Sequence, residues 1–157
     1  MTTFTIQRLQ EDARTSMLAH LLALSTTDRR LRFGCSLAPA VIASYVDRVD
    51  FARDAILGFH DDQHLLAGMA HVAFDADPAE VALSVVPAWR ARGLGGALFA
   101  GAVAQAARRG ARRLYMQFLA SNTPIARIAK RFGMVIRVRG QDGEAHLDVS
   151  AQQGTIS

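Results

Sequence analysis

Hydrophobic and polar positions alternate along this chain in a way that predicts short strands separated by helices. Period-two alternation, or short apolar runs between turn residues, predict strands at residues 3–9, 55–59, 65–74, 80–86, 113–119, 135–138 and 146–149. Apolar residues at helical spacing, with helix-starting residues before them, predict helices after Asp12 and at residues 39–46, 93–109 and 122–132. We expect Asp12 to cap the first helix, and a turn at Asp142 and Gly143 to separate the last two strands.

The order of these elements is β-α-α-β-β-β-α-β-α-β-β. A strand–helix–strand unit embedded in hairpins predicts a mixed, mostly antiparallel seven-stranded sheet with about four helices on its two faces, which places the chain in the α/β (α+β) class. No internal repeat, low-complexity segment or Pro/Gly/Ser-rich linker interrupts the sequence. We therefore expect a single domain spanning residues 1–157.

Composition indicates a folded protein without a membrane segment. The chain has 157 residues, of which 50% are hydrophobic and 20% charged, so it can bury a core without a metal or disulfide. Its longest uncharged stretch, residues 93–107, is shorter than the roughly 18–20 residues that a membrane span needs, and its first residues lack the features of a signal peptide. Cys35 is the only cysteine, which favours a reducing, cytoplasmic location, and we expect it to be a small buried residue and not a nucleophile.

Positive charge is concentrated in one third of the chain. The formal net charge is +4, but residues 90–139 contain eleven basic side chains and no acidic one, and all of the basic side chains except Lys130 are arginine. Residues 1–89 carry a balance of −4 and residues 140–157 a balance of −3. This distribution predicts a local site for a polyanion, for which a nucleic acid is one candidate.

Residues 85–98 carry the most informative motif. A strand ends there, Arg90 and Arg92 follow, and Gly93, Gly95 and Gly96 open a long apolar helix. The first turn of a helix has unpaired backbone N–H groups and the positive end of the helix dipole, and glycines leave those donors accessible. The motif therefore predicts a cradle for a pyrophosphate, with close helix–sheet packing as the alternative explanation for the glycines.

Other nucleotide-binding and metal-binding patterns fit poorly. A Walker loop would need Gly-Lys-Ser/Thr, and a dinucleotide fingerprint would need a different glycine spacing and an acidic residue about 20 positions later, whereas none occurs before Asp142. His60 and His64 flank a predicted turn and have no evident third partner, so we expect no metal site.

The segment Arg90-x-x-Gly93-x-Gly95 after a strand resembles the coenzyme A loop of the GNAT N-acetyltransferase superfamily, whose pattern is Gln/Arg-x-x-Gly-x-Gly/Ala. Asn122 followed by a short helix and Gly133-Met134 resembles a second block of that family, with Met in place of Phe. The strand order matches as well, so the resemblance covers nearly the whole chain.

Within the superfamily the chain is most similar to the acyltransferase domain of bacterial protein lysine acetyltransferases (Pat-type). The matching pieces are Arg32-Phe33, Asp50-Phe51, Ala79-Glu80 and Asn122-x-Pro124. Members of that branch often carry an additional large domain, which is not found here. The nature of the acceptor, a protein lysine or a small-molecule amine, is therefore left open.

The resemblance implies transfer of an acetyl group from acetyl-CoA to a primary amine, with Glu80 as general base. It also implies a set of cofactor-binding residues: Val85, Val86, Arg90, Arg92, Gly93, Leu94, Gly95, Gly96, Ala97 and Asn122. Strand alternation places Glu80, Ala82 and Ser84 on one face of their strand, and His71 is the next candidate for the base. Asn122 has capping of its helix as an alternative role.

One departure from the family and two competing functions remain. Many relatives have a tyrosine seven residues after the asparagine, to protonate the leaving thiolate, whereas this chain has Ala129; the Pat-type branch also usually lacks it. A GNAT-fold coenzyme A-binding module without turnover, and a nucleic-acid-binding basic domain, are the alternatives to an enzyme. We favour the enzyme, acting on an amine with no nucleic acid or membrane partner, and the resemblance permits a homodimer.

Overall fold

A computed structural model describes residues 3–150 of the chain. Five α-helices are present in this range: α1 (Arg14–Ala23), α2 (Thr26–Phe33), α3 (Pro39–Arg48), α4 (Leu94–Arg108) and α5 (Thr123–Arg131). The strands are β1 (Gln7–Leu9), β2 (Ala55–His60), β3 (Leu66–Ala73), β4 (Ala79–Val85), β5 (Arg113–Leu119), β6 (Val135–Arg139) and β7 (Asp142–Asp148). They form one sheet in the order β1-β2-β3-β4-β5-β7-β6.

The sheet is antiparallel except between its two central strands, β4 and β5, which run parallel. This arrangement confirms the predicted mixed, mostly antiparallel seven-stranded sheet. It follows from the connections: hairpins join three of the six neighbouring pairs, whereas α4 provides the long crossover that the parallel pair requires.

Helices cover both faces of the sheet, and strand alternation assigns each strand residue to one of two cores. Leu57, Ala70 and Val81 face a core that is completed by Leu98 and Phe99 of α4, together with residues of α5. Neighbouring strand residues, which point to the other face, meet α1 and α3 in a second core. We call these the α4 face and the α1 face. Among residues 3–150, no helix is long and apolar enough to cross a membrane.

Helix α2 was not predicted from the sequence. Its residues include only two large apolar side chains, so it has no apolar stripe, and none of its residues is buried. It forms because the Ser25 side chain caps it, accepting a hydrogen bond from the Asp28 N–H at 3.1 Å, and because Gly34 ends it in a left-handed conformation at φ +83°. A capping residue and a terminal glycine were thus the available signals.

Three further local predictions were wrong. Asp12 does not cap α1, because residues Glu11–Ala13 form a 3-10 turn and Ala13 occupies the cap position without a side-chain hydrogen bond. The last hairpin turns at Gly140 and Gln141, since Gly140 adopts the left-handed φ of +57°, and Asp142 is already the first residue of β7. Cys35 is exposed, because it lies in the loop that follows Gly34.

Candidate active site

The central strands β4 and β5 separate part way along their length. Only two residue pairs join them, Ala79 with Leu114 and Glu80 with Tyr115, although both strands continue beyond these pairs. Beyond these pairs, the end of β4 borders a cavity of about 450 Å³. Its walls come from β4, the turn before α4, the first turn of α4, the Asn122–Arg131 segment, and α2 with the preceding Leu24.

The edge of β4 that faces the gap between the two strands has free backbone groups. The Val86 N–H points the other way and donates to the Ala67 oxygen at 2.9 Å. Because successive backbone amides of a strand point to opposite edges, the Val85 N–H points toward the gap. The Val85 carbonyl oxygen also lies on this side, where it accepts a hydrogen bond from Arg90 Nε at 3.1 Å.

The start of α4 forms the opposite end of the cavity. Gly93 precedes the helix in the left-handed conformation, at φ +90°, and no side chain caps the helix. The Ala97 N–H makes the first bond of the helical ladder, to the Gly93 oxygen at 3.1 Å. The N–H groups of Leu94, Gly95 and Gly96 precede that bond and have no partner within the helix. This is the geometry of an anion site at a helix N-terminus.

Close packing accounts for two of the glycines. A Cβ atom at Gly95 would lie 3.0 Å from Ile128 Cδ1, and one at Gly96 would lie 3.1 Å from Arg131 Nη1. Both neighbours belong to α5 and border the cavity. The glycines therefore let α5 approach the first turn of α4 while keeping its backbone open to the cavity.

The two arginines of the motif have different surroundings. Arg90 borders the cavity, and its Nη2 forms an ion pair with Asp28 Oδ2 of α2 at 2.8 Å. The Arg92 guanidinium instead lies 4.6 Å from the centre of the Trp89 ring and does not line the cavity. Trp89 packs edge-on against Phe4 and Phe59 and also borders the cavity.

Asn122 is buried at the start of α5. Its side-chain oxygen accepts a hydrogen bond from the Ile125 N–H at 3.3 Å, so it caps the helix, and it also borders the cavity. Arg127 and Arg131 follow on the same helix and extend the cationic wall of the cavity. Ala129 is fully buried on the other side of the helix, in the core of the α4 face.

Glu80 lies where β4 and β5 begin to separate, on the α1 face. Its carboxylate accepts a hydrogen bond from the Tyr115 hydroxyl at 3.2 Å. Burial, and then the negative charge of Glu80, raise the pKa of Tyr115. Tyr115 in turn stacks on His146, with ring centres 5.8 Å apart. Glu80 does not itself border the cavity.

Ser84, on the same face of β4, is held by a buried histidine of α1. His20 Nε2 lies 2.8 Å from Ser84 Oγ, and His20 Nδ1 lies 2.8 Å from the Leu66 oxygen. Burial lowers the pKa of His20 to about 4, so the ring is neutral at neutral pH. Ser84 borders the cavity, and this pair fixes its hydroxyl there.

His71 belongs to a hydrogen-bonded chain of four side chains. Arg32 Nη2 donates to the Tyr45 hydroxyl at 3.0 Å, Tyr45 is bonded to His71 Nδ1, and His71 Nε2 lies 2.8 Å from Asp54 Oδ2. Burial lowers the pKa of His71, although the Asp54 carboxylate opposes this effect. Arg53 completes the group with two hydrogen bonds to Asp54, at 2.9 and 3.0 Å.

The predicted site residues are thus only partly brought together. Seven of them border the cavity: Val85, Arg90, Gly93, Leu94, Gly95, Gly96 and Asn122. Val86, Arg92 and Ala97 are adjacent in sequence but do not line it, and Glu80 lies beyond its edge. The sequence analysis did not assign site roles to five polar residues of the wall, which are Asp28, Arg32, Ser84, Arg127 and Arg131.

Two of these omissions had a signal in the sequence and two followed from the missed helix. Arg127 and Arg131 are four residues apart on a predicted helix that begins at a motif residue, which places them on one helix face. Asp28 and Arg32 lie on α2, which was not predicted. Among residues 3–150, no group of three His, Cys, Asp or Glu side chains could hold a metal ion.

The glycine-rich start of α4 directly after β4, and Asn122 at the start of α5, lie where the GNAT resemblance places its two motifs. The family profile described as "Acetyltransferase (GNAT) family" matches residues 18–134. The chain therefore belongs to this family of acetyltransferases. A comparison with curated protein sequences gives no significant match.

Solved structures with the same fold span nearly the whole chain. The GNAT domain of S. lividans PAT is 20% identical, with a TM-score of 0.81, and the match covers 94% of this chain and 91% of that one. The structure of yncA from Salmonella typhimurium with its cofactor acetyl-CoA is 14% identical, with a TM-score of 0.71 and coverage of 94% and 95%. A phosphinothricin acetyltransferase from Sinorhizobium meliloti in complex with AcCoA is 12% identical, with a TM-score of 0.72 and coverage of 94% and 89%.

Proposed function

We propose that this protein transfers the acetyl group of acetyl-CoA to a primary amine, with Glu80 as general base. The observation that carries the proposal is that the end of β4, beyond its pairs with β5, and the uncapped first turn of α4 line the same cavity. Such a cavity offers hydrogen-bond donors to a pyrophosphate at one end and strand-edge groups to a thioester at the other. Two of the structures with this fold, yncA and the S. meliloti protein, contain acetyl-CoA.

The pyrophosphate would lie against the first turn of α4. The N–H groups of Leu94, Gly95 and Gly96 would donate to it, and Arg90 and Arg131 would add positive charge. Arg90 is held by Asp28 in the described structure. Binding of the pyrophosphate would therefore draw Arg90 away from that ion pair. Arg92 packs on the Trp89 ring, so its guanidinium would have to move off that ring to reach the pyrophosphate.

The pantetheine arm would then follow the free edge of β4. The Val85 N–H would donate to the thioester oxygen as negative charge develops on it, and one such donor contributes about 3 kcal/mol of transition-state stabilisation. This use of Val85 follows from its position on the open edge. Val86 would contribute packing only, because its N–H is bonded to Ala67.

Glu80 would accept the proton that the ammonium group must lose before it attacks. The neutral amine nitrogen then bonds to the carbonyl carbon and loses a second proton to water, the C–S bond breaks, and the coenzyme A thiolate leaves. Because Glu80 does not border the cavity, the proton would reach it through water. A thiol with a pKa of roughly 8.5 is an adequate leaving group, so water can protonate it in the absence of a tyrosine at Ala129.

The Gly95→Glu substitution tests the cofactor site. The new carboxylate would project into the pyrophosphate position and against Ile128, so we expect acetyl-CoA binding, measured by calorimetry, to fall below detection. Ala104→Glu is the matched control, because Ala104 is an exposed residue of the same helix and gains the same charge. Undiminished affinity in the Gly95 variant would overturn the site.

A coenzyme A-binding module without turnover is the second candidate, and one observation favours it: Glu80 does not border the cavity. Release of free thiol from acetyl-CoA in the presence of an amine separates the two. Thiol release that depends on the amine supports the enzyme, and tight binding without release supports the module.

A further inference from the structure

The α2 wall of the cavity contains an arginine that the proposed cofactor does not use. Helix α2 lies close to both β4 and β5, where it covers the α1 face of the gap. Asp28, one turn earlier on α2, meets Arg90 near the pyrophosphate end. Arg32 follows four residues later and borders the cavity.

Arg32 lies on the same side of the sheet as Glu80, as its contacts with the sheet indicate. It bonds through Tyr45 to His71 of β3. His71 pairs with Ala82, and Ala73 pairs with Glu80. His71 and Glu80 therefore lie on one sheet face at neighbouring positions. Arg32 is therefore on the Glu80 side of the sheet, where an acceptor amine would approach.

The Arg32 guanidinium is held rigidly. It lies over the rings of Phe33 and Tyr45, at 4.4 and 5.6 Å from their centres. Its Nη2 group donates to Tyr45, whose hydroxyl can then donate to His71 Nδ1, leaving His71 Nε2–H to donate to the Asp54 carboxylate. In each of these hydrogen bonds a donor faces an acceptor, and the chain ends at the buried Asp54 carboxylate. The chain therefore fixes the orientation of the Arg32 guanidinium.

No acidic group balances this charge. Among residues 3–150, no carboxylate lies within ion-pair distance of Arg32, and its Nε is buried without an acceptor. Arg90, by contrast, has Asp28 as its partner. A rigid guanidinium that borders a cavity and has no carboxylate partner can bind a planar anion through its terminal Nη groups.

We propose that Arg32 binds the carboxylate of the acceptor, so that the acceptor is a small amine that carries a carboxylate, such as a free amino acid. Tyr45, His71 and Asp54 act as positioning residues for this arginine. The proposal rests on the proposed acetyl transfer and names the acceptor class of the same site. Acetylation of a lysine within a protein, which lacks that carboxylate, is the competing outcome.

The test compares amines that differ only in the carboxylate. Thiol release from acetyl-CoA is measured with free L-amino acids, with their α-carboxamides, and with a lysine-containing peptide whose termini are blocked. We expect the wild-type protein to prefer the best acids over their amides by about 10- to 100-fold in kcat/KM, the range that a charged hydrogen-bonded pair supplies.

Substitutions test whether the preference for acids over amides depends on Arg32. Arg32→Gln should abolish it and leave acetyl-CoA affinity unchanged. Arg30→Gln is the matched control, because Arg30 is exposed on the same helix and should retain the preference. Tyr45→Phe should raise KM for the acid several-fold with little change in kcat, whereas a merely structural defect would also reduce kcat and acetyl-CoA affinity.

The outcomes distinguish this inference from the proposed function. Thiol release that favours the amides or the blocked peptide, or a preference for acids that survives in Arg32→Gln, would overturn the carboxylate site alone. Absence of amine-dependent thiol release with every acceptor would instead refute the proposed acetyl transfer, and the carboxylate site with it.

Discussion

Replacing Asp54 by asparagine removes a buried charge on which the positioning of His71 and Arg32 depends. The Asp54 carboxylate is 1% exposed and accepts hydrogen bonds from Arg53, from His71 at 2.8 Å and from the Phe74 N–H at 3.0 Å. Burial alone would raise its pKa, but these donors outweigh burial and lower the pKa of Asp54 from 3.8 to about 2. The folded protein therefore favours the ionised form more than the unfolded chain does.

The size and sign of the effect follow from that difference. A pKa of about 2 in the folded state, against 3.8 in the unfolded chain, corresponds to ~2.4 kcal/mol of stability at pH 7. Because the folded pKa is the lower one, this contribution is fully present above pH 5 and is lost as the pH falls toward 2. At pH 3 about 1.3 kcal/mol of it remains.

Urea unfolding followed by circular dichroism measures this contribution. The difference in unfolding free energy between wild type and Asp54→Asn should be at least about 2 kcal/mol at pH 7 and should shrink by about 1 kcal/mol at pH 3. Asp47→Asn is the control, because Asp47 is an exposed carboxyl that has no ion pair within residues 3–150. An Asp54→Asn difference that is the same at both pH values would refute this reasoning.

Two further predictions concern the site. Glu80→Gln should lower turnover at neutral pH about 10²- to 10⁴-fold, the usual contribution of a general base, with unchanged acetyl-CoA affinity in calorimetry; unchanged turnover would transfer the role of base to another residue, with His71 the next candidate. Asp28→Asn should tighten acetyl-CoA binding several-fold, because Arg90 no longer has to leave an ion pair at 2.8 Å to reach the pyrophosphate; weaker binding in that variant would contradict the assigned role of Arg90.

Much of the fold was predictable because its signals are local. The apolar runs of β2 and β3, the alternation in β5 and the apolar character of α4 are properties of short segments. Both cores form from the side chains that successive strand residues point to each face. Helix α2 was missed because its formation depends on a cap and a terminal glycine and not on an apolar face. The cavity wall that carries Asp28 and Arg32 was therefore not predicted either.

The candidate site was predictable where a motif lies in one stretch of chain. Residues 90–96 were identified directly, because a helix N-terminus needs only neighbouring residues. The group of Arg32, Tyr45, His71 and Asp54 could not be found in this way, since its members come from α2, α3, β3 and the loop before β2. Only the pairing of strands and the packing of helices bring them together.

Analysis of the products from acetyl-CoA tests the central claim most directly. Purified protein is incubated with acetyl-CoA and an amine mixture, and mass spectrometry and thiol titration quantify both products. We expect the wild-type protein to form N-acetylated amine and free coenzyme A in equal amounts, and Gly95→Glu to form neither product above background. Free coenzyme A without any acetylated amine, or equal product formation by the Gly95 variant, would contradict that claim.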